Sequence, residues 1–159
     1  MELGLLQDLA VLEMQNEGLV SIIPTEIGRL TNLIRLVLDF NNLTGSIPIE
    51  LYSLTNLETL ELNNNSLTGD IDLIGVFSDL EFLQLQGNEF TGTVPNDVGD
   101  LFELKTFNLH ENDFTGTVPE SVCALRSTRG GNLISLIADC ENGTDGAEIE
   151  CTCCSSCRN

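Results

Sequence analysis

Positive charge is what this sequence has least of: 6 Lys and Arg stand against 25 Asp and Glu in 159 residues, a formal net charge of −19. Six scattered cations assemble neither a row of phosphate contacts nor a polybasic patch, which excludes nucleic acid and anionic membrane as partners and favours a cationic one. The acidic residues are spread rather than blocked, as on a solvated extracellular surface. No window of about 18 apolar residues occurs, so direct membrane insertion is not expected. The first residues, Met1 to Asp8, put acidic side chains where a secretory leader has a basic region and an apolar run. A secreted form is therefore expected to have its true N-terminus upstream, this chain being a fragment or a truncated gene model.

Catalytic chemistry is equally thin. The one histidine, His110, stands near Glu111 and Asp113, with no serine or cysteine placed beside it as a nucleophile. Asp39 and Glu61 fall on neighbouring strands without a cleft, and no glycine-rich phosphate loop or zinc-protease motif is present. The expectation is a non-enzymatic protein with no cofactor and no metal.

What the chain does have is leucine at a fixed spacing. The stretch Leu30-Thr-Asn-Leu33-Ile-Arg-Leu36-Val-Leu38-Asp-Phe-Asn41-Asn-Leu43-Thr-Gly45-Ser-Ile47-Pro48 returns after 24 residues, and the chain from 1 to 125 divides into five such units: 6–29, 30–53, 54–76, 77–100 and 101–124. The third is one residue shorter and has Asp72 where the second has Pro48. A period of this length specifies a solenoid, in which each unit buries its apolar face only against its neighbours. The Leu-x-Leu pairs have the alternation of short strands with one face buried, and stacked turns pair them into a parallel sheet. Asn41, Asn65, Asn88 and Asn112 form a ladder in the bend after each strand, where an amide offers both donors and an acceptor to backbone groups of its own turn and the next. Glu17 takes that place in the first unit.

These motifs resemble the plant-type leucine-rich repeat proteins, marked by Leu-Thr-Gly-x-Ile-Pro and found in receptor-like kinase ectodomains, receptor-like proteins and polygalacturonase-inhibiting proteins. The resemblance implies an α/β right-handed coil with a parallel sheet on its concave face and irregular or 3-10 turns on its convex face. It also implies that a protein or peptide ligand lies across the concave sheet, on outward residues of three columns. One holds Glu13, Val37, Glu61, Gln84 and Asn108, the second Gln15, Asp39, Asn63, Gln86 and His110, the third Val11, Arg35, Thr59, Phe82 and Thr106. Phe40 and Phe82 are the expected anchors, exposed aromatics being enriched among binding hot spots. Five strands at ~4.8 Å give a sheet roughly 20 Å wide, short of the ~800 Å² per partner of a standard interface. The expected role is ligand binding in a secreted or cell-surface receptor-like protein. The alternatives are an inhibitor of a cell-wall-degrading enzyme, or a structural or ice-surface protein using the convex row Thr44, Thr68, Thr91 and Thr115.

Outside the repeats, 126–159 reads as a Cys-rich cap, similar to the tails of algal leucine-rich repeat proteins. Within it, Asn132 to Asp139 has the alternation of one last edge strand. Cys140, Cys151, Cys153, Cys154 and Cys157 join Cys123 to give an even count, read as disulfides over the open end of the coil. Six cysteines allow 15 pairings, and the adjacent Cys153 and Cys154 are poorly placed to pair with each other. The rival is a zinc site on Cys151, Cys153, Cys154 and Cys157. Asn42, Asn64 and Asn142 are glycosylation sequons for a chain in the secretory pathway. At the other end no polar cap precedes the first unit, so further chain upstream, or self-association, is expected to cover it.

Overall fold

The computed structural model describes residues 5–126, 131–140 and 149–158. Each repeat supplies one strand to a parallel sheet: β1 (Val11–Glu13), β3 (Arg35–Val37), β5 (Thr59–Glu61), β7 (Phe82–Gln84) and β9 (Thr106–Asn108). The register aligns Leu12, Leu36, Leu60, Leu83 and Phe107 across the stack. From Leu36 onwards these side chains have no exposure, because each is covered by its own turn and by the turns on either side. Burying such a side chain is worth about 1.5–3 kcal/mol. Phe77, Phe90, Phe107 and Phe114 occupy the same inward positions as leucines elsewhere.

A second parallel sheet runs along the coil between the concave strands and the expected 3-10 turns. It comprises β2 (Val20–Ile22), β4 (Asn42–Gly45), β6 (Ser66–Gly69), β8 (Glu89–Gly92) and β10 (Asp113–Phe114). Only one residue per strand is deeply buried in β4, β6 and β8, namely Leu43, Leu67 and Phe90. The segments are too short for alternation to register in sequence, and it is the stacking of turns that pairs them. The remainder of each turn is a short 3-10 helix at Thr25–Arg29, Ile49–Ser53, Ile74–Val76 and Asn96–Asp100, or the α-helix α1 (Glu120–Ala124). Proline precedes all but one of these in extended conformation, and Leu73 takes its place in the shortened third turn.

One position in these helices controls how closely the turns approach. Gly99 lies against the next turn so tightly that a Cβ there would sit 2.4 Å from Cβ of Ser121. In the second turn the equivalent residue is Tyr52, whose ring stacks on Phe77 at 5.7 Å between centroids, beside the turn that is a residue shorter. Burial, with the charges of Asp70 and Asp72, pushes its phenol up to about 12. In the fifth turn the equivalent is Cys123, which is bonded to Cys153 of the tail.

The tail continues the coil. β12 (Ser135–Asp139) adds to β9, and β14 (Ser156–Arg158) adds to β12, so the concave sheet has seven strands and its edge is β14 rather than the segment before Asp139. β13 (Ile149–Glu150) pairs separately with β11 (Gly116–Thr117). Disulfides Cys123–Cys153, Cys140–Cys157 and Cys151–Cys154 hold these additions and take up all four cysteines named for the zinc alternative. No helix among the described residues is long and apolar enough to cross a membrane.

The asparagine ladder ties the two sheets together, reaching back to the preceding turn rather than forward. Asn88 Nδ2 donates to the carbonyls of Leu85, in its own turn, and Leu62, one turn earlier, both at 3.0 Å. Its Oδ1 accepts from Leu67 N–H in the second sheet of that earlier turn at 3.0 Å. Asn65 and Asn112 repeat the pattern on Leu43 and Phe90, and Asn41 accepts from both Glu17 and Leu19. Glu17, in the first described turn, has no earlier described turn to bridge.

Two measurements test this account. Asn88→Ala leaves Leu67 N–H unpaired and strips a donor from two buried carbonyls, so denaturant unfolding should show a loss of about 2–4 kcal/mol. A loss below about 0.5 kcal/mol would show that the ladder is dispensable. As the chain has a single tyrosine, absorbance titration should give a midpoint near 12 for Tyr52, moving towards 10 in Asp72→Asn.

Candidate ligand-binding face

Side chains alternate along each concave strand, so the neighbours of the buried leucines point away from the core. The inner column Glu13, Val37, Glu61, Gln84, Asn108 runs on through Ile137 to Ser156, and the outer column ending at His110 runs on to Asp139 and Arg158. Seven strands at ~4.8 Å span about 29 Å, half as wide again as five repeats alone suggest.

The face is more closed than a row of solvated residues. Val37, Asp39, Asn63 and His110 lie on it yet are only 4, 9, 5 and 7% exposed, while Arg35, Glu61, Phe82, Gln84, Gln86 and Asn108 are half-buried. The cause is spacing: side chains stacked one strand apart cover one another. Phe40 differs, being 57% exposed. Its cations are largely committed. Arg35 Nε contacts Glu13 at 2.6 Å and its guanidinium lies 3.8 Å from Glu61, while Lys105 contacts Glu81 at 2.6 Å and sits 5.8 Å from the centre of the Phe82 ring. These pairs are part-exposed and each is worth about 0–1 kcal/mol.

Five shielded polar atoms on this face have no hydrogen-bond partner among the described residues: Asp39 Oδ1, Asn63 Oδ1, Gln86 Oε1, Asn108 Oδ1 and His110 Nδ1. Four belong to the outer column, one per turn, and the fifth is beside His110. Each such group costs about 1–3 kcal/mol. Sequence identified the positions but not the missing partners, since these follow from the stacking. Burial lowers the pKa of His110 below its usual 6.5, the charges of Glu111 and Asp139 opposing and that of Arg158 assisting.

A row that sequence reading missed borders the face. Asn16, Phe40, Asn64, Gly87 and Glu111 are all left-handed, with φ between 52 and 68°, immediately before each ladder position. Asn and Gly tolerate this conformation, whereas an aromatic side chain there is a real outlier with a cost of order 1–3 kcal/mol. The signal was the Asn-Asn and Gly-Asn pairs at 64–65 and 87–88. Gly87 also gives room to its neighbour, for a Cβ there would lie 3.0 Å from Asn64 Oδ1. Of the sequons, Asn42 is exposed on β4, Asn64 is half-buried in this row, and Asn142 lies outside the described residues. At the N-terminal end of the coil, Leu12, Met14, Leu19, Ile23 and their neighbours, exposed Val20 and Ile22 among them, line an apolar hollow of about 270 Å³.

The Leucine Rich Repeat profile matches residues 32–54, 56–76, 79–101 and 103–125. Among solved structures, the ectodomain of the Arabidopsis receptor kinase HAESA, in complex with an N-terminally extended IDA peptide hormone, matches with a TM-score of 0.76 and 32% identity over 94% of this chain and 23% of that one. The ectodomain of the Arabidopsis thaliana receptor kinase GASSHO1/SCHENGEN3, in complex with CASPARIAN STRIP INTEGRITY FACTOR 2, gives 0.75 and 30% over 94% and 18%. A plant ice-binding protein gives 0.72 and 32% over 77% and 40%. The chain thus spans from about a fifth to two fifths of the length of these proteins. No curated protein sequence matches it.

The depressed histidine makes a signed prediction. The unfolded chain takes up a proton at 6.5 while folded His110 resists it, so this contribution to stability is complete above that pH and is lost as pH falls through the lower folded value. Thermal unfolding between pH 7.5 and 5.5 should show a declining midpoint that His110→Gln flattens. An equal decline in the variant would remove His110 as the cause.

Proposed function

Because the chain belongs to the leucine-rich repeat family, we propose that it is a non-enzymatic recognition module of the extracellular space, whose concave face binds a protein or peptide ligand. The observation that carries this reading is Phe40. An aromatic side chain held in left-handed backbone and left 57% exposed does nothing for the coil that Asn or Gly would not do better. Its use is as an anchor beside a polar column, the arrangement of a binding hot spot. The peptide complexes of HAESA and GASSHO1/SCHENGEN3 support the same use of this fold, and three disulfides support an oxidising compartment. In this reading 1–125 supplies the repeats and 126–159 closes the coil while widening the face. Residues Arg35, Glu61, Phe82, Gln84 and Asn108 extend the binding face along the sheet from the anchor, and Asn42 and Asn64 take glycans. A second molecule covers the apolar N-terminal hollow.

A second reading rests on the second sheet. Thr44, Thr68, Thr91 and Thr115 recur along it, and the plant ice-binding protein has a similar coil. Two of those hydroxyls are turned to backbone, Thr91 to Gly69 and Thr115 to Gly92. That use within the fold ranks surface recognition of ice second.

Selection of random displayed peptides against the folded protein tests the first reading. Enriched peptides should lose at least tenfold in affinity to Phe40→Ala, which keeps its fold by circular dichroism. Peptides indifferent to Phe40 and Phe82 would place binding elsewhere, and no enrichment together with thermal hysteresis would favour ice.

A further inference from the structure

From Asp39 to Gln86 the outer concave column presents shielded oxygens for which the described residues supply no donor, and its arginine, Arg158, stands at the far end beside Asp139. Asp39, Asn63 and His110 are each more than nine-tenths buried, and Asp39 Oδ1, Asn63 Oδ1, Gln86 Oε1 and the adjacent Asn108 Oδ1 find no partner among the described residues. We infer that this column receives a cationic, donor-rich segment of the ligand, arginine or lysine side chains of an extended peptide, whose N–H groups are donated to Asp39, Asn63, Gln86 and Asn108. The inference rests on the reading that the face binds a peptide, and it specifies which kind.

Four considerations select this chemistry. Carbonyl and carboxylate oxygens require donors, and Lys and Arg are the side chains that donate several hydrogen bonds and accept none. Arg35 is engaged by Glu13 and Glu61 and Lys105 by Glu81, so neither of these neighbouring cations is paired with Asp39, whose Oδ1 is left for the ligand. Neighbouring rungs are ~4.8 Å apart, and a planar guanidinium with five N–H donors can reach oxygens on two of them. A net charge of −19 draws such a segment to the protein from a distance. The oxygens are shielded in the free protein, yet the terminal torsions of Asn and Gln are broad and let them turn outwards as a ligand covers the column.

The probe is a synthetic Arg-Gly-Arg-Gly-Arg-Gly-Arg-Gly peptide, with counterparts carrying Gln or Asp for Arg, titrated calorimetrically at physiological salt. The arginine peptide should bind, and both counterparts should bind at least tenfold more weakly. The double variant Asn63→Leu, Gln86→Leu removes two acceptors at unchanged charge and similar volume, and should weaken the arginine peptide at least tenfold. Glu50→Gln with Glu89→Gln, both exposed and away from the face, should change it less than twofold. Should the double variant lose its circular dichroism spectrum, Gln86→Leu alone is used, with at least a threefold loss expected. Absence of binding, equal binding by the Gln counterpart, wild-type affinity in the column variant, or an equal loss in Glu50→Gln, Glu89→Gln would each overturn the inference. Failure here is separable from failure of the general reading. If displayed peptides that depend on Phe40 carry no excess of Arg and Lys, the donor-segment inference is wrong and peptide recognition stands. If no peptide depends on Phe40 or Phe82, both fall.

Discussion

The structure depends on an amide placed where a bend would otherwise bury unpaired backbone. A turn of about 24 residues must leave one sheet, bend and enter another, and at the bend its carbonyls and N–H groups face a core rather than water. In each turn after the first, one asparagine meets this demand with two donated bonds or more and one or two accepted bonds, and its partners include groups of the turn before. A carboxylate accepts only, an aliphatic side chain does neither, and a longer amide would overfill the bend. Everything apolar in the repeat is held in register by this link, since the leucines stack only if successive bends superimpose.

The concave face inherits its character from the same stacking. Parallel strands one hydrogen-bond spacing apart bring like positions into contact, so a polar column buries itself. The result is a face of closely covered side chains, with cations engaged by acids and a set of acceptors that find no partner among the described residues. Such a surface is ordered in advance, because the cost of ordering its side chains has been met on folding and would not fall on binding.

Much of this was legible in the residues. The period, the Leu-x-Leu strands, Asn41, Asn65, Asn88 and Asn112, and the membership of each concave column follow from spacing alone. What was not legible is what arises between turns. The second sheet has too few residues per strand to show a period, and the backward reach of the ladder needs coordinates of two turns at once. Ser156–Arg158 carries no leucine pattern, so its place at the sheet edge is set by Cys140–Cys157 and by pairing with β12. The burial of Asp39 and Asn63 is likewise a property of neighbours, whereas Phe40 was visible as an aromatic but not as a strained one. Cys123 shows the same limit: sequence counts it among six, and only the stacked turns reveal that it stands where Gly99 packs in the turn before.

Phe40 also bears on how such a protein changes over generations. At a left-handed position the easiest substitutions are Asn and Gly, and both relieve strain while leaving the leucines, the ladder and the disulfides untouched. Recognition through Phe40, as proposed above, can therefore be discarded in a single mutational step that the fold tolerates or even welcomes. Regaining it requires a step uphill in stability. Within a lineage of such coils, specificity is the fragile trait and architecture the durable one, which lets one scaffold diversify its ligands without being rebuilt.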